Sequence, residues 1–312
     1  MQPSPKTDMQ PGSGPLLIVD GHCYAYRAFF GIRSLTSPSG QPVNAIYGFI
    51  RMLEKMRDRI KPSRLGVVWD GGLAASRMAL LPGYKAHRPE LPDALASQLD
   101  EMVEYLGAAG ICSLRMEGCE ADDAIAVLAV QADKAGLATV IASSDKDFMQ
   151  LVSGNVRLLV PHDKSEKLWD AAQVKQKTGV EPTQIVDWLS LVGDSVDNIP
   201  GVDGIGLKIA ADLLSKFGSI DAIYARLGEV SSERVRSRLQ AAEEAVRRNQ
   251  QMIRLNCENP CDLAVENLVI ADPKVEELGR LYAGWGFKKM LQALDDLRGK
   301  TDDLFHEQIH AV

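Results

Sequence analysis

LLIVD (16–20), LGVVWD (65–70) and ATVIASSD (138–145) are three apolar runs that each close on an aspartate: Asp20, Asp70 and Asp145, the last followed at once by Asp147. Each run has the length and β-branched content of a buried parallel strand. Their carboxylates would therefore gather along one rim of a sheet, beyond the carboxyl ends of the strands, where open α/β sheets bind ligands. Like charges crowded there are costly without a positive partner, and hard divalent cations with oxygen ligands are the usual one. The pattern predicts a carboxylate-lined metal site.

Outward from these runs, the acidic motifs accumulate. EGCEADDAIAVLA (117–129) sets Glu120, Asp122 and Asp123 at the start of an apolar-periodic helix. Any one of them reads as a helix cap, but three within four residues exceed what a cap requires. SSDKDF (143–148) and GDSVDN (193–198) add Asp145 with Asp147 and Asp194 with Asp197 in turns, where aspartate is common for local reasons. Together these nine acids supply enough oxygen ligands for two Mg²⁺-like ions. Such a pair suits in-line displacement at phosphorus. YKAHR (84–88) offers Tyr84, Lys85 and Arg88 to a phosphate, and YAYR (24–27) offers Arg27. GVDGIGLKIA (201–210) places Gly204 and Gly206 before a helix carrying Lys208, so that backbone N–H groups can approach a phosphate. A plain turn and solvated surface cations are the alternative reading of the same residues.

The chain has 312 residues, 46% of them hydrophobic, enough for one large domain or two modest ones. Strands expected at 16–20, 65–69, 111–115, 138–142 and 155–160 alternate with helices at 44–60, 93–107 and 121–134. That alternation implies an α/β fold with a mostly parallel sheet flanked by helices. Between Asp70 and Pro92 the regularity stops in a loop-like, partly basic segment. After about residue 180 the pattern becomes helices with short glycine turns, including arginines at 234, 236, 238, 247 and 248 that fit either a solvated face or a phosphate-tracking one. Residues 1–14 are Pro, Gly and polar, and are expected to be a disordered tail. No apolar stretch is long enough to span a membrane and no leader pattern is present, which predicts a cytoplasmic protein without membrane partners. Five cysteines without a CxxC pair argue for reduced thiols and against zinc. A net charge of −7 speaks against a polyanionic partner, but setting the nine candidate ligands aside leaves a slightly basic remainder.

In order along the chain, VDGHCYAYRAFF, the spacing from VVWD through Arg77 to YKAHR, EGCEADD, SSDKDF and LVGDSVDNIPGVDGIGLKIAADLL resemble the 5′→3′ exonuclease and flap endonuclease family, in the bacterial form found as the N-terminal region of DNA polymerase I. The resemblance covers about residues 15–290. It implies a PIN-like 5′ nuclease core over 15–180, with a helical arch at about 71–105, and a helical DNA-binding domain over 181–298 with a helix-hairpin-helix-type (H3TH) motif. It implies two Mg²⁺ or Mn²⁺ ions, one held by Asp20, Asp70, Glu120 and Asp122, the other by Asp145, Asp147 and Asp194, with Asp123 and Asp197 supporting. Lys85 and Arg88, with Arg27, would act on the scissile phosphate. Tyr84, Arg77, Gly204, Gly206 and Lys208 would contact DNA, with K⁺ held by carbonyls of the glycine turn. The implied substrates are DNA with 5′ flaps or recessed 5′ ends, and the protein would act as a free-standing monomer in replication or repair. Ser76, Arg77, Met78 and Ala79 depart from relatives, which commonly carry an aromatic before the arginine and a glutamate two after it. The terminal GKTDDLFHEQIHAV (299–312) contains DDLF, similar to short tails that bind a sliding clamp; a disordered or helix-packing terminus is the other reading. A branched-DNA-binding module that does not cut and an RNA-directed nuclease remain alternatives. A phosphatase with an aspartyl nucleophile fits poorly, because VDGHC lacks a second aspartate two residues on.

Overall fold

β-branched and leucine-rich runs bounded by polar turns form the strands, and every residue of the first of them is buried. The computed structural model describes residues 14–161, 163, 167–258 and 263–296. The expected terminal tails, including the DDLF segment, therefore lie almost wholly outside the described residues. The elements are β1 (Leu16–Asp20), α1 (Gly21–Gly31), α2 (Asn44–Ile60), β2 (Arg64–Trp69), α3 (Ala75–Leu80), α4 (Asp93–Ala108), β3 (Cys112–Arg115), α5 (Ala121–Lys134), β4 (Thr139–Ala142), β5 (Val156–Leu159), β6 (Leu168–Trp169), α6 (Ala171–Thr178), α7 (Ile185–Val192), β7 (Gly193–Asp194), β8 (Ile199–Pro200), α8 (Leu207–Phe217), α9 (Ile220–Ala225), α10 (Glu233–Ala241), α11 (Glu243–Ile253) and α12 (Val275–Trp285).

The chain divides into two compact units. The first comprises residues up to 21, 62–90 and 114–267. Its sheet has the order β3-β2-β1-β4-β5-β6, with β1 parallel to both β2 and β4 and β4 parallel to β5. β1 is thus the strand from which the chain steps to β2 on one side and later to β4 on the other. This is the topological switch point, where the crevice of such sheets opens. The carboxyl ends of β1 and β2 deliver Asp20 and Asp70 there, and the turn after β4 delivers residues 143–147. α5 packs across β1, β2 and β4 with an almost continuously buried alanine and aliphatic face. β6 is an antiparallel edge of only two residues, too short for periodicity to reveal. Farther along, α7 packs on α8 and α11, and the buried Asn249 of α11 donates to Ser190 O at 3.1 Å and Pro200 O at 2.7 Å, fixing the turn after α7.

The second unit holds α1 from residue 22, α2, α4 and α12. Val43 precedes α2 without offering a side-chain cap, so the first N–H groups of that helix need another acceptor. Gln98 of α4, fully buried, supplies it: the N–H groups of Ala45 and Ile46 donate to its Oε1 at 2.8 and 3.2 Å, while its Nε2 donates to Asn44 and Ala94. Gln98→Leu keeps the volume but leaves two buried donors unpaired. Urea unfolding of that variant is expected to reveal a loss of about 3 kcal/mol, at roughly 1–3 kcal/mol per unsatisfied group.

Candidate functional site

All nine acids expected at the metal site lie in the first unit. Asp20, buried, accepts from Ser143 Oγ at 2.7 Å, and the same hydroxyl accepts from Asp145 N–H at 3.1 Å. Asp145 Oδ1 in turn accepts from Asp147 N–H at 2.8 Å, so SSDKDF folds into one turn aimed at the end of β1. The Asp70 loop is tied to the Glu120 turn by Gly71 N–H donating to Cys119 O and Gly118 N–H donating to Gly71 O, both at 3.0 Å. Oxygens of Asp147, Asp194 and Asp197 lie within 4.8 Å of one another, a spacing that suits a shared cation. The buried Oδ1 of Asp147 has no hydrogen-bond partner, the mark of a carboxylate that needs one more positive group. The residues present therefore fit a hard divalent ion held by oxygen ligands.

Cations are threaded through this cluster. Lys85, buried, donates from Nζ to Glu120 Oε2 at 2.5 Å and lies 3.8 Å from Asp122. Arg88 stands 3.6 Å from Asp70, and Lys146 reaches Asp194 at 3.0 Å. Burial alone would lower the Lys85 pKa, but Asp122, Asp197 and Glu120 outweigh it and hold the ammonium above its ordinary value. Burial and then the Asp145 charge push Asp122 and Asp147 well above the carboxylate range. Asp197 is pushed up to about 6 by burial, against the opposing pull of Lys85. Glu120 moves down: its burial is overcome by Lys85, Arg77 and the Ala74 N–H.

Three of these residues are turned inward. Arg77, expected at DNA, is 6% exposed and turned inward: NH1 and NH2 donate to Asp123 at 2.8 and 2.7 Å and Nε to Met252 O at 3.0 Å. The Asp123 carboxylate, expected beside the metals, is spent on that fork and on the N–H of Asn256 at 2.9 Å. Tyr84, also expected at DNA, is buried and donates to Glu120 Oε2 at 3.0 Å; burial, Asp197 and Glu120 raise its pKa, so the phenol stays protonated. Within the segment expected to form a helical arch, α3 ends at Leu80 and α4 begins at Asp93. Arg27 lies half-buried on α1, in the second unit. Gly204 (φ +70°), Gly206 and Lys208 are exposed around the start of α8. A Cβ on Gly204 would lie 1.5 Å from Arg238 NH1, which itself donates to Asp203 O at 2.9 Å, so this glycine makes room for an arginine. Ser143 and Lys146 belong to the site though neither was singled out in the sequence. The available signal was their position inside SSDKDF, flanking residues already chosen.

The model of a 5'-3' exonuclease N-terminal resolvase-like domain matches residues 15–179, and that of a 5'-3' exonuclease C-terminal SAM fold matches residues 180–276. The chain belongs to the 5'-3' exonuclease family. Within that family it is 36% identical over 282 residues to a 5'-3' exonuclease of Aquifex aeolicus, covering 90% of this chain and 96% of that protein. It is 36% identical over 290 residues to DNA polymerase I of Pseudomonas aeruginosa, covering 91% of this chain and 31% of the polymerase. In fold, this 5'-3' exonuclease family member is similar to T5 5'-exonuclease with zinc bound (24% identity, TM-score 0.64, 77% of this chain and 89% of that one) and to the catalytic core of Rad2 with a DNA substrate (17% identity, TM-score 0.60, 88% and 87%). Among the described residues no helix is long and apolar enough to cross a membrane.

Two outcomes test this geometry. Arg77→Met or Asp123→Leu alone strands a buried charge and is expected to cost about 3–5 kcal/mol in urea unfolding, whereas the double variant should recover most of that loss. Asp122, Asp147 and Asp197 bind protons more tightly folded than unfolded, so metal-free stability should fall as pH rises above the ordinary carboxylate value, for Asp197 through about 6, and further as the more strongly raised Asp122 and Asp147 ionise; Glu120 shifts the other way, below that range. The thermal shift produced by Mg²⁺ or Mn²⁺ should grow as pH rises over the same range, as protons leave the ligands. A metal shift that shrinks with rising pH would contradict the assignment of these acids.

Proposed function

We propose that the chain is a structure-specific 5′ nuclease that hydrolyses DNA phosphodiesters at 5′ flaps and recessed 5′ ends. The observation that carries this reading is the unpartnered, buried Asp147 Oδ1 within the Asp147, Asp194 and Asp197 cluster, with the Lys85 ammonium among the neighbouring acids. Membership of the 5'-3' exonuclease family and the match to the corresponding part of DNA polymerase I support DNA as the substrate.

Asp20, Asp70 and Asp122, with Glu120 behind them, are proposed to hold one Mg²⁺ or Mn²⁺, and Asp145, Asp147, Asp194 and Asp197 the other. Such ions, when bound, lower the pKa of water and neutralise charge on the phosphate oxygens. Lys85 and Arg88 hold the scissile phosphate: Lys85 is a fixed point charge, kept protonated by the acids around it, and Arg88 is more exposed and free to swing toward a phosphate. Glu120 acts through Lys85 by orienting its ammonium.

The helices from α7 to α11 are proposed to grip duplex backbone. The exposed start of α8 points its free N–H groups outward with Lys208 beside them, a combination that favours phosphate without reading bases. K⁺ on carbonyls of the 201–206 turn belongs to the same proposal; Asp203 O already accepts from Arg238, so other carbonyls would serve.

Purified protein with Mg²⁺ or Mn²⁺ is expected to release short products from a 5′-labelled flap, and chelation should stop it. Asp147→Ala should abolish cleavage, Lys85→Ala should lower kcat about a hundredfold, and Lys208→Ala should raise KM a fewfold with kcat little changed. An intact flap after incubation with bound, metal-loaded protein would refute the reading.

A further inference from the structure

Outside glycine, only Lys61, Lys85 and Asn198 among the described residues have positive φ, and two of these three meet at one junction of the site. Lys85 has φ +55° and Asn198 φ +57°, a region that costs a residue with a side chain free energy unless surrounding contacts enforce it. Two hydrogen bonds running in opposite directions enforce it here. Lys85 N–H donates to Asp197 O at 3.0 Å, and Asn198 Nδ2 donates to Gly83 O at 2.7 Å. The approach is close enough that a Cβ on Gly83 would lie 3.1 Å from Asn198 Nδ2. The turn that carries Lys85 is thereby bolted to the loop that carries Asp194 and Asp197.

We propose that Asn198 is a positioning residue whose side-chain amide fixes the Gly83–Lys85 turn to the Asp194–Asp197 loop, so that the Lys85 ammonium and the carboxylates of that loop keep one fixed geometry. This rests on the reading of Lys85 as a phosphate-holding group. Asparagine suits the position twice over: it tolerates the left-handed region better than most residues, and its amide reaches the carbonyl of Gly83. The two properties can be separated. Asn198→Gly keeps the left-handed backbone and deletes the donor, and Asn198→Asp keeps the shape and replaces the donor with an acceptor facing a carbonyl. If backbone conformation alone mattered, the glycine variant would be silent.

The test is single-turnover and steady-state cleavage of a 5′ flap with Mg²⁺ by the full chain, as a cycle with Lys85→Ala. Asn198→Gly and Asn198→Asp should each lower kcat about ten- to a hundredfold with KM changed less than about threefold, since a misplacement near 1 Å can cost two orders of magnitude. In the Lys85→Ala background the same substitutions should cost less than about twofold more, because the residue acts through Lys85. The Mn²⁺-induced thermal shift should survive in both variants, since every carboxylate remains. Losses that multiply with that of Lys85→Ala, a silent glycine variant, or loss of the Mn²⁺ shift each overturn the proposal. Should a variant at 198 fail to fold by circular dichroism, Gly83→Ala, whose methyl presses on Nδ2, carries the same cycle. An inactive wild type would instead refute the nuclease reading itself, so the two failures are distinguishable.

Discussion

Repulsion among carboxylates at the end of β1 is the constraint on which the first unit is built. Two ionised oxygens 4.8 Å apart repel by roughly 3 kcal/mol at an effective dielectric constant near 20, and the cluster contains several such pairs. Left alone, that energy would be relieved by protonation or by unfolding of the loops. The chain answers with buried cations from one short segment. Lys85 enters among Glu120, Asp122 and Asp197, and Arg77 closes on Asp123 with both ends of its guanidinium. The acids that remain raised, Asp122 and Asp147 above all, are those whose burial and acidic neighbours, Asp145 first, outweigh any cation beside them. A site that is still short of positive charge after its own lysines and arginines are counted is a site made for metal.

The segment after Asp70 consequently has two tasks on one strand of backbone. Its first part, α3, is architectural, because Arg77 ties it to α5 through Asp123 and to α11 through Met252 O. Its second part presents Lys85 and Arg88 to the acids. The residues between them turn sharply, and that turn is held by backbone and side-chain bonds to the loop after α7. Packing thus sets the positions of charges that chemistry requires to within about half an ångström, the tolerance that preorganised sites demand. The glycine turn before α8 follows the same economy, with Arg238 filling the space that a side chain on Gly204 would need and holding Asp203 in place.

How much of this was legible in the sequence follows from the range of the interactions. Strand-end aspartates are readable because a parallel strand announces itself by composition and its last residue must lie at the rim. Asp20, Asp70 and the SSDKDF acids can be placed at the rim for that reason. Lys85 and Arg88 are legible because a basic cluster in a long connection stands out locally. For Arg77 and Tyr84, nothing in the neighbouring sequence tells inward from outward. Their partners, Asp123, Met252 and Glu120, are distant in the chain. Asn198 carries no signal at all beyond standing next to Asp197, and Gln98 looks like any polar residue on a helix until it is found under the start of α2.

The sequence by itself determined the five longer strands, the helices that alternate with them at 44–60, 93–107 and 121–134, and the list of acids, since periodicity and strand ends depend on neighbours a few residues apart. Only the tertiary structure decided which acids lie close enough to share a cation and which are already paired. It turned Asp123 from a prospective ligand into the counter-ion of Arg77, brought Asp197 beside Asp147 and Asp194, and locked Lys85 to the loop that carries two of them. The physical reason is that charge pairing depends on distances of a few ångströms between residues tens to more than a hundred positions apart, and the order of residues along a chain does not encode those distances until the sheet has set them.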